Sequence, residues 1–214
     1  MAELYPALLN LKNKLCLVVG GGPVAARKAA SLVAAGARVS LVSPALCAVL
    51  AESVSKNEVL HTARKFEESD LTGVFLVVAA TDHPEVNRMI GEAAEANGIL
   101  ANVVDAPEAS SFIVPSVIRR GKLLIAIATS AQSPALSRRL RLHLENEIGE
   151  EYGELVKLVG EVRAELKDAG TKVSEQTWQN ALDLDELVDL LKDRRRDEAK
   201  SVLIQRLISN AGGA

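Results

Sequence analysis

The chain is poor in aromatic residues: three Phe, two Tyr and one Trp among 214 residues, or 3%. Its core must therefore be built from Val, Ile, Leu and Ala, which suits parallel strands covered by helices on both faces. It has two cysteines, Cys16 and Cys47, and three scattered histidines, His61, His83 and His143. No CxxC or His/Cys ligand spacing occurs, so both cysteines are expected as buried thiols, and neither a disulfide framework nor a metal site is expected. No apolar run reaches the roughly 18 residues of a membrane span. Met1-Ala2-Glu3-Leu4-Tyr5-Pro6 shows no basic region and no apolar signal core, so a soluble, cytoplasmic protein is expected. A formal net charge of −3 argues against nucleic acid or an anionic membrane as partner.

What is present is an alternation of strand and helix signals. Leu15-Cys16-Leu17-Val18-Val19 is a continuous apolar run that predicts a buried strand. The helical stretch from Val24 to Ala35 stops at Gly36. Further strands are expected at Arg38-Val39-Ser40-Leu41-Val42, near Val59-Leu60-His61, over Val74–Ala79 and over Ile99–Val104. Pro44, capped by Ser43, is expected to open a helix after the second strand, and a helix capped by Thr81-Asp82-His83-Pro84 is expected to run to Asn97-Gly98. This spacing predicts an α/β, Rossmann-like doubly wound parallel sheet over residues 1–112. The pattern then changes. Phe112–Ile118 and Lys122–Ala128 flank Arg119-Arg120-Gly121 and predict a β-hairpin, followed by a helix starting at Ser133-Pro134. Its apolar faces exceed what a lone hairpin buries, so residues 113–148 are expected to pack on another sheet or subunit. Residues 149–214 predict a small all-helical C-terminal domain with breaks near Gly170 and Asp183, and Arg194-Arg195-Arg196 is expected as a solvated helix face.

Gly20-Gly21-Gly22-Pro23-Val24-Ala25 fits G-x-G-x-x-A between a strand and a helix. Gly20 permits the tight turn, Gly22 leaves room for a pyrophosphate, and Ala25 lets the helix pack closely on the strand. The N–H groups at the helix start then face an NAD-type cofactor. The acid expected about 20 residues later for the ribose is missing: that position is Val42-Ser43-Pro44-Ala45, which leaves NAD and NADP both open. Thr81 follows the fourth strand and should line the nicotinamide side, cap the next helix, or both. Asp105 follows Asn102-Val103-Val104 at the same sheet end, where a carboxylate can take a proton while the nicotinamide takes a hydride; a loop-capping role is the alternative. Between residues 114 and 145, Arg119, Arg120, Lys122, Arg138, Arg139 and Arg141 face a single acid, Glu145. That pattern fits either a small polyanionic ligand or a set of surface arginines on a helix.

Together these segments resemble the precorrin-2 dehydrogenase family, including the amino-terminal part of multifunctional siroheme synthases. The resemblance rests on Tyr5-Pro6 with Leu11, the glycine turn with Arg27-Lys28, Ala79-Ala80-Thr81-Asp82, Val86-Asn87, Asn102-Val103-Val104-Asp105, Ser111–Ser116 and Ser133–Arg138, covering roughly residues 4–145. It implies an NAD-dependent oxidation of precorrin-2 to sirohydrochlorin with Asp105 as the catalytic carboxylate. It also implies cofactor contacts from Gly20, Gly22, Pro23, Val24, Ser43, Pro44, Ala45, Thr81 and Asn102. The candidate substrate-binding residues are Arg119, Arg120, Arg138 and Ser133, and relatives form an intertwined homodimer through the hairpin and basic helix. The turn before Ser133-Pro134, often glycine-rich in the family, is Thr129-Ser130-Ala131-Gln132 here. Two alternatives stand beside this reading: a bifunctional enzyme that also inserts Fe²⁺ into sirohydrochlorin, and a non-catalytic nucleotide-sensing module.

Overall fold

The structure is a computed structural model and describes residues 4–209. Residues 1–3 and 210–214, on which the reading of the N-terminus and of the last helix partly rests, lie outside it. The chain divides between Val114 and Pro115 into two compact units.

The first unit carries β1 (Leu15–Val19), α1 (Pro23–Ala34), β2 (Arg38–Val42), α2 (Ala48–Ser55), β3 (Val59–Thr62), β4 (Leu76–Ala79), α3 (Pro84–Ala96) and β5 (Leu100–Val103). The five strands are all parallel in the order β3-β2-β1-β4-β5. The switch in winding direction therefore falls between β1 and β4, where a doubly wound sheet opens its crevice. The apolar runs are unbroken because both faces are covered. Cys16, Val18, Leu41 and Val78 pack under α1 and α2, and Leu17, Val19, Val77 and Val103 pack under α3. Burial pushes the Cys16 thiol up to about 11, so it packs as a small hydrophobe.

On the edge strand β5, serine hydroxyls take the place of a neighbouring strand. Ser111 Oγ accepts from the Ala101 N–H (2.8 Å) and Ser110 Oγ from the Val103 N–H (2.9 Å). The same contacts explain why the expected hairpin strand from Phe112 begins only at Ser116: residues 110–112 fold back on β5, with Ser111 N–H donating to Ala101 O (2.9 Å).

The second unit holds the antiparallel hairpin β6 (Ser116–Arg120) and β7 (Leu123–Ile127), then α4 (Pro134–Glu147), α5 (Glu151–Asp168), α6 (Glu175–Ala181), α7 (Leu184–Lys192) and α8 (Arg196–Ser209). Leu158 and Val162 of α5 close a core with Leu187 of α7 and Leu203 and Leu207 of α8. No helix among the described residues is long and apolar enough to cross a membrane.

Four local expectations are corrected. Arg119 and Arg120 are ladder residues of β6, opposite Leu124 and Leu123, because Gly121 at φ +54° lets a two-residue turn suffice. Pro44 opens no helix: α2 starts at Ala48, since residues 43–47 pack back on the glycine turn. The helix after Thr81 has His83 at its N-cap with no side-chain cap bond. Arg194 and Arg195 form the break between α7 and α8 rather than a helix face, with Arg194 at φ +60° and Arg195 paired with Glu198, while Arg196 opens α8 paired with Glu161.

The turn before α4 keeps a left-handed backbone without glycine, at Ser130 (φ +48°) and Ala131 (φ +61°). A Cβ in that region costs about 1–2 kcal/mol per residue, partly offset by the greater unfolded-state freedom of glycine. Ala131→Gly is therefore expected to stabilise the protein by roughly 0.5–1 kcal/mol. A thermal or denaturant melt checks this, and a destabilised variant would mean that the turn is not left-handed there.

Candidate functional site

The three glycines of the β1–α1 turn have separate duties. Gly20 sits at φ +126°, and a Cβ there would lie 2.2 Å from the Ala80 carbonyl oxygen. At Gly21 a Cβ would lie 1.8 Å from Ala45 O, while Gly21 O accepts from the Cys47 N–H (2.8 Å). Next to Gly22 a Cβ would meet nothing within 4 Å. The first two glycines thus let the chain ends after β4 and β2 close onto the turn. The third leaves open space at the N-cap of α1, whose first-turn N–H groups have no intrahelical acceptor. Gly21, a free position in the sequence motif, is the most confined of the three. Its signal in the sequence was the uninterrupted run of glycine itself.

Around this turn lies a cavity of about 830 Å³, within the size range of small-molecule and cofactor sites. It brings together Gly20, Gly22, Ser43, Pro44, Ala45 and Thr81 from the ends of β1, β2 and β4. Pro23 and Val24 form the first turn of α1 beside it. Sequence reasoning missed Cys47, Lys65, Phe66 and Met89, which also line it. Cys47 is only half-buried, at the N-cap of α2, against the expectation of a buried thiol. No short motif marks these residues; they reach the cavity from elements whose start or length the sequence left open.

The cavity walls are fixed by neutral hydrogen bonds. The buried Ser43 hydroxyl donates to Ala45 O (2.7 Å), and Ser43 O lies 2.9 Å from His61 Nε2. Thr81 is clamped by the buried Asn87: its N–H and its hydroxyl both donate to Asn87 Oδ1 (3.0 and 2.7 Å), and Asn87 Nδ2 donates back to Thr81 O (2.9 Å). Thr81 therefore presents itself to the cavity in one orientation, and the Val86-Asn87 pair has a structural reason.

Asp105 follows β5 in the left-handed region at φ +59°, and it is exposed. Asp tolerates this conformation better than most residues, but a non-glycine residue held there at a strand end is a frequent mark of function. The adjoining Val104 N–H donates to Ala79 O (2.9 Å), which ties the Asp105 loop to the end of β4. Asp105 is two strands from the glycine turn, about 10 Å in sheet spacing. Asn102 is not part of the cavity wall. It is buried in β5, where its Oδ1 accepts from Lys28 Nζ (2.9 Å) and its Nδ2 donates to Phe112 O (3.2 Å). Each end of its amide thus has a protein partner.

The remaining candidates are in the second unit. Arg119 and Arg138 are exposed. Arg120 is committed to the end of α4: its Nε donates to Ile148 O (2.9 Å) and its Nη2 to Glu145 O (3.3 Å). Ser133 is the N-cap of α4, accepting from the Leu136 N–H (3.1 Å). Among the described residues no group of three or more His, Cys, Asp or Glu gathers as a metal site would require.

Comparison with known proteins places these features. Residues 7–116 match a family model described as putative NAD(P)-binding. The siroheme synthase of Methylobacillus flagellatus is 44% identical over 165 residues, 77% of this chain and 35% of that protein. The siroheme synthase of Thioalkalivibrio sulfidiphilus is 39% identical over 207 residues, 96% of this chain and 42% of that protein. The chain thus spans less than half the length of these relatives. Among solved structures, SirC, a precorrin-2 dehydrogenase, superposes with a TM-score of 0.72 at 27% identity, over 96% of this chain and all of that one.

The glycine geometry separates two variants. Gly22→Asp is expected to melt like the wild type, since its side chain has space, yet to lose NADH binding by placing a carboxylate against the pyrophosphate. Gly21→Ala is expected to lose about 3 kcal/mol or more of stability, because Ala45 is backbone and cannot yield. Thermal melts and NADH fluorescence titrations of both variants check this. Wild-type NADH affinity in Gly22→Asp would remove the turn from the site.

Proposed function

The chain belongs to the putative NAD(P)-binding family, and from that premise we propose that it is an NAD-dependent precorrin-2 dehydrogenase that makes sirohydrochlorin for siroheme. The observation that carries the reading is the placement of Asp105. An exposed carboxylate on a left-handed backbone stands at the same sheet end as a dinucleotide-sized cavity floored by Gly22.

The cavity fits the cofactor on structural grounds. Gly22 leaves room where the pyrophosphate must approach, and α1 presents its N-terminus there. Bound NAD supplies the hydride acceptor. The protein supplies the rest. Gly22 and the first turn of α1 hold the phosphates, and Ser43, Pro44 and Ala45 border the ribose. Thr81, fixed by Asn87, borders the nicotinamide. Removing a hydride from the precorrin-2 macrocycle leaves one proton to be lost, and the Asp105 carboxylate takes it, which completes a two-electron oxidation. Arg119 and Arg138, exposed and outside the ion pairs among the described residues, are the proposed cationic contacts for substrate carboxylates. Arg120 and Ser133 hold α4 instead.

The chain acts as a homodimer in the cytoplasm in this reading. Support for the dimer comes from α4, where Leu136, Leu140 and Leu142 are 50%, 38% and 41% exposed on one helix. Leu136 and Leu140, four residues apart, share one face of the helix and offer an apolar contact to a second copy.

The test is spectroscopic. Wild-type protein mixed with precorrin-2 and NAD should develop the sirohydrochlorin absorbance. Asp105→Ala should bind NADH within about twofold of wild type and lose turnover by about 10²-fold or more. A wild type that binds NADH but never forms sirohydrochlorin would favour a nucleotide sensor, and full turnover in Asp105→Ala would remove that residue from the chemistry.

A further inference from the structure

The Arg27-Lys28 pair just past the glycine turn has no part in the cavity wall. Lys28 instead points from α1 to the far side of the site. It is half-buried, and its ammonium donates to Asn102 Oδ1 (2.9 Å). Asn102 is held in turn by Phe112 O, so the amide cannot swing away. An ammonium has three N–H donors, and the acceptor provided here is neutral. Lys28 enters no ion pair among the described residues. The charge that acts on it from the reaction centre is the Asp105 carboxylate.

Burial and the neighbouring Arg27 push Lys28 below the ordinary lysine range, and Asp105 opposes them by favouring the charged form. Desolvating a cation without a bound anion is unfavourable, and a carboxylate in place of Asn102 would have relieved it. The arrangement holds the ammonium on Asn102 of β5, the strand that Asp105 follows, with no anion bonded to it among the described residues. That is the construction of a subsite for a ligand carboxylate.

We propose that Lys28, braced by Asn102 beside Asp105, binds one carboxylate arm of the anionic tetrapyrrole and so sets the reacting ring edge against Asp105. The inference rests on the precorrin-2 reading above. It makes Lys28 a substrate-anchoring residue in the first unit, separate from the cofactor contacts.

The experiment compares Lys28→Gln and Lys28→Arg with wild type by sirohydrochlorin titration, NADH titration and precorrin-2 kinetics. Glutamine can keep the hydrogen bond to Asn102 but not the charge; arginine keeps the charge. Lys28→Gln should bind NADH normally and melt like wild type, yet bind sirohydrochlorin about tenfold more weakly and raise the KM for precorrin-2 to a similar degree. Its sirohydrochlorin affinity should also lose part of the wild-type salt dependence. Lys28→Arg should stay within about threefold of wild type. Unchanged tetrapyrrole affinity in Lys28→Gln overturns the proposal, and so does a Lys28→Gln variant that loses NADH and sirohydrochlorin together, since the lysine is then only a brace for α1. A wild type that binds NADH but not sirohydrochlorin defeats the precorrin-2 reading itself, and this inference with it.

Discussion

The site depends on the close backbone contact of Gly20 and Gly21 with the carbonyls of Ala80 and Ala45. Three parallel strands end at one level there, and their following loops would ordinarily be kept apart by side chains. With no Cβ at either glycine, the loop after β4 and the loop after β2 press onto the β1 turn from both sides. The Gly20 N–H donates to Val42 O, and Ala80 N–H donates to Val19 O, so the three ends share one ladder to their last residues. The third glycine, by contrast, faces open space. The cavity is thus a consequence of packing at the first two glycines, and its chemistry is a consequence of the third.

Around this contact the protein uses neutral groups for construction and leaves charges uncommitted. Asn87 holds Thr81, Ser43 holds Ala45, and Asn102 holds the Lys28 ammonium; each of the holding side chains is neutral. Elsewhere in the first unit charge serves structure. Arg64 forms a two-pronged pair with Asp70 (2.8 and 2.6 Å), which fixes the turn between β3 and β4 and holds the Asp70 carboxyl below its usual range. The contrast has a physical basis. A paired charge has little left for a ligand, whereas an amide or hydroxyl fixes geometry without cancelling the field of nearby groups. In the proposed function, Lys28 and Asp105 are the charges left for the substrate.

The elements of the first unit were legible in the sequence because each strand buries two faces and each helix has one apolar stripe. Leu15–Val19 and Leu76–Ala79 could hardly be anything but central strands. Where the structure departs from expectation, a local hydrogen bond has overruled a local propensity. Pro44 has the right chemistry to begin a helix, but the Cys47 N–H is already bound to Gly21 O, and the helix waits until Ala48. Phe112-Ile113-Val114 has the composition of a strand, but the preceding serines return to β5 and Pro115 offers no N–H to a ladder. Such bonds join residues distant in sequence, and nothing in the pattern of a single segment announces them.

The candidate residues divide along the same line. The glycine turn was legible because Gly20 stands at φ +126° and Gly21 has no room for a Cβ, whereas Asp105 was singled out by its place after β5, where it stands at φ +59°. Charge is different, since a sequence displays a cation without showing what it faces. Arg119, Arg120, Arg138 and Arg141 look alike as a run. Folded, Arg120 caps the end of α4 and Arg141 pairs with Glu145, which leaves Arg119 and Arg138 exposed. Asn102 shows the converse: a polar residue in a motif before Asp105 suggested a cofactor contact, and the fold buries it with its amide oxygen on Lys28 and its amide nitrogen on Phe112 O. Burial of a polar side chain inside a parallel strand requires that both its donor and its acceptor be met. The residue that meets the acceptor is Lys28, and through it Asn102 would support the proposed substrate contact.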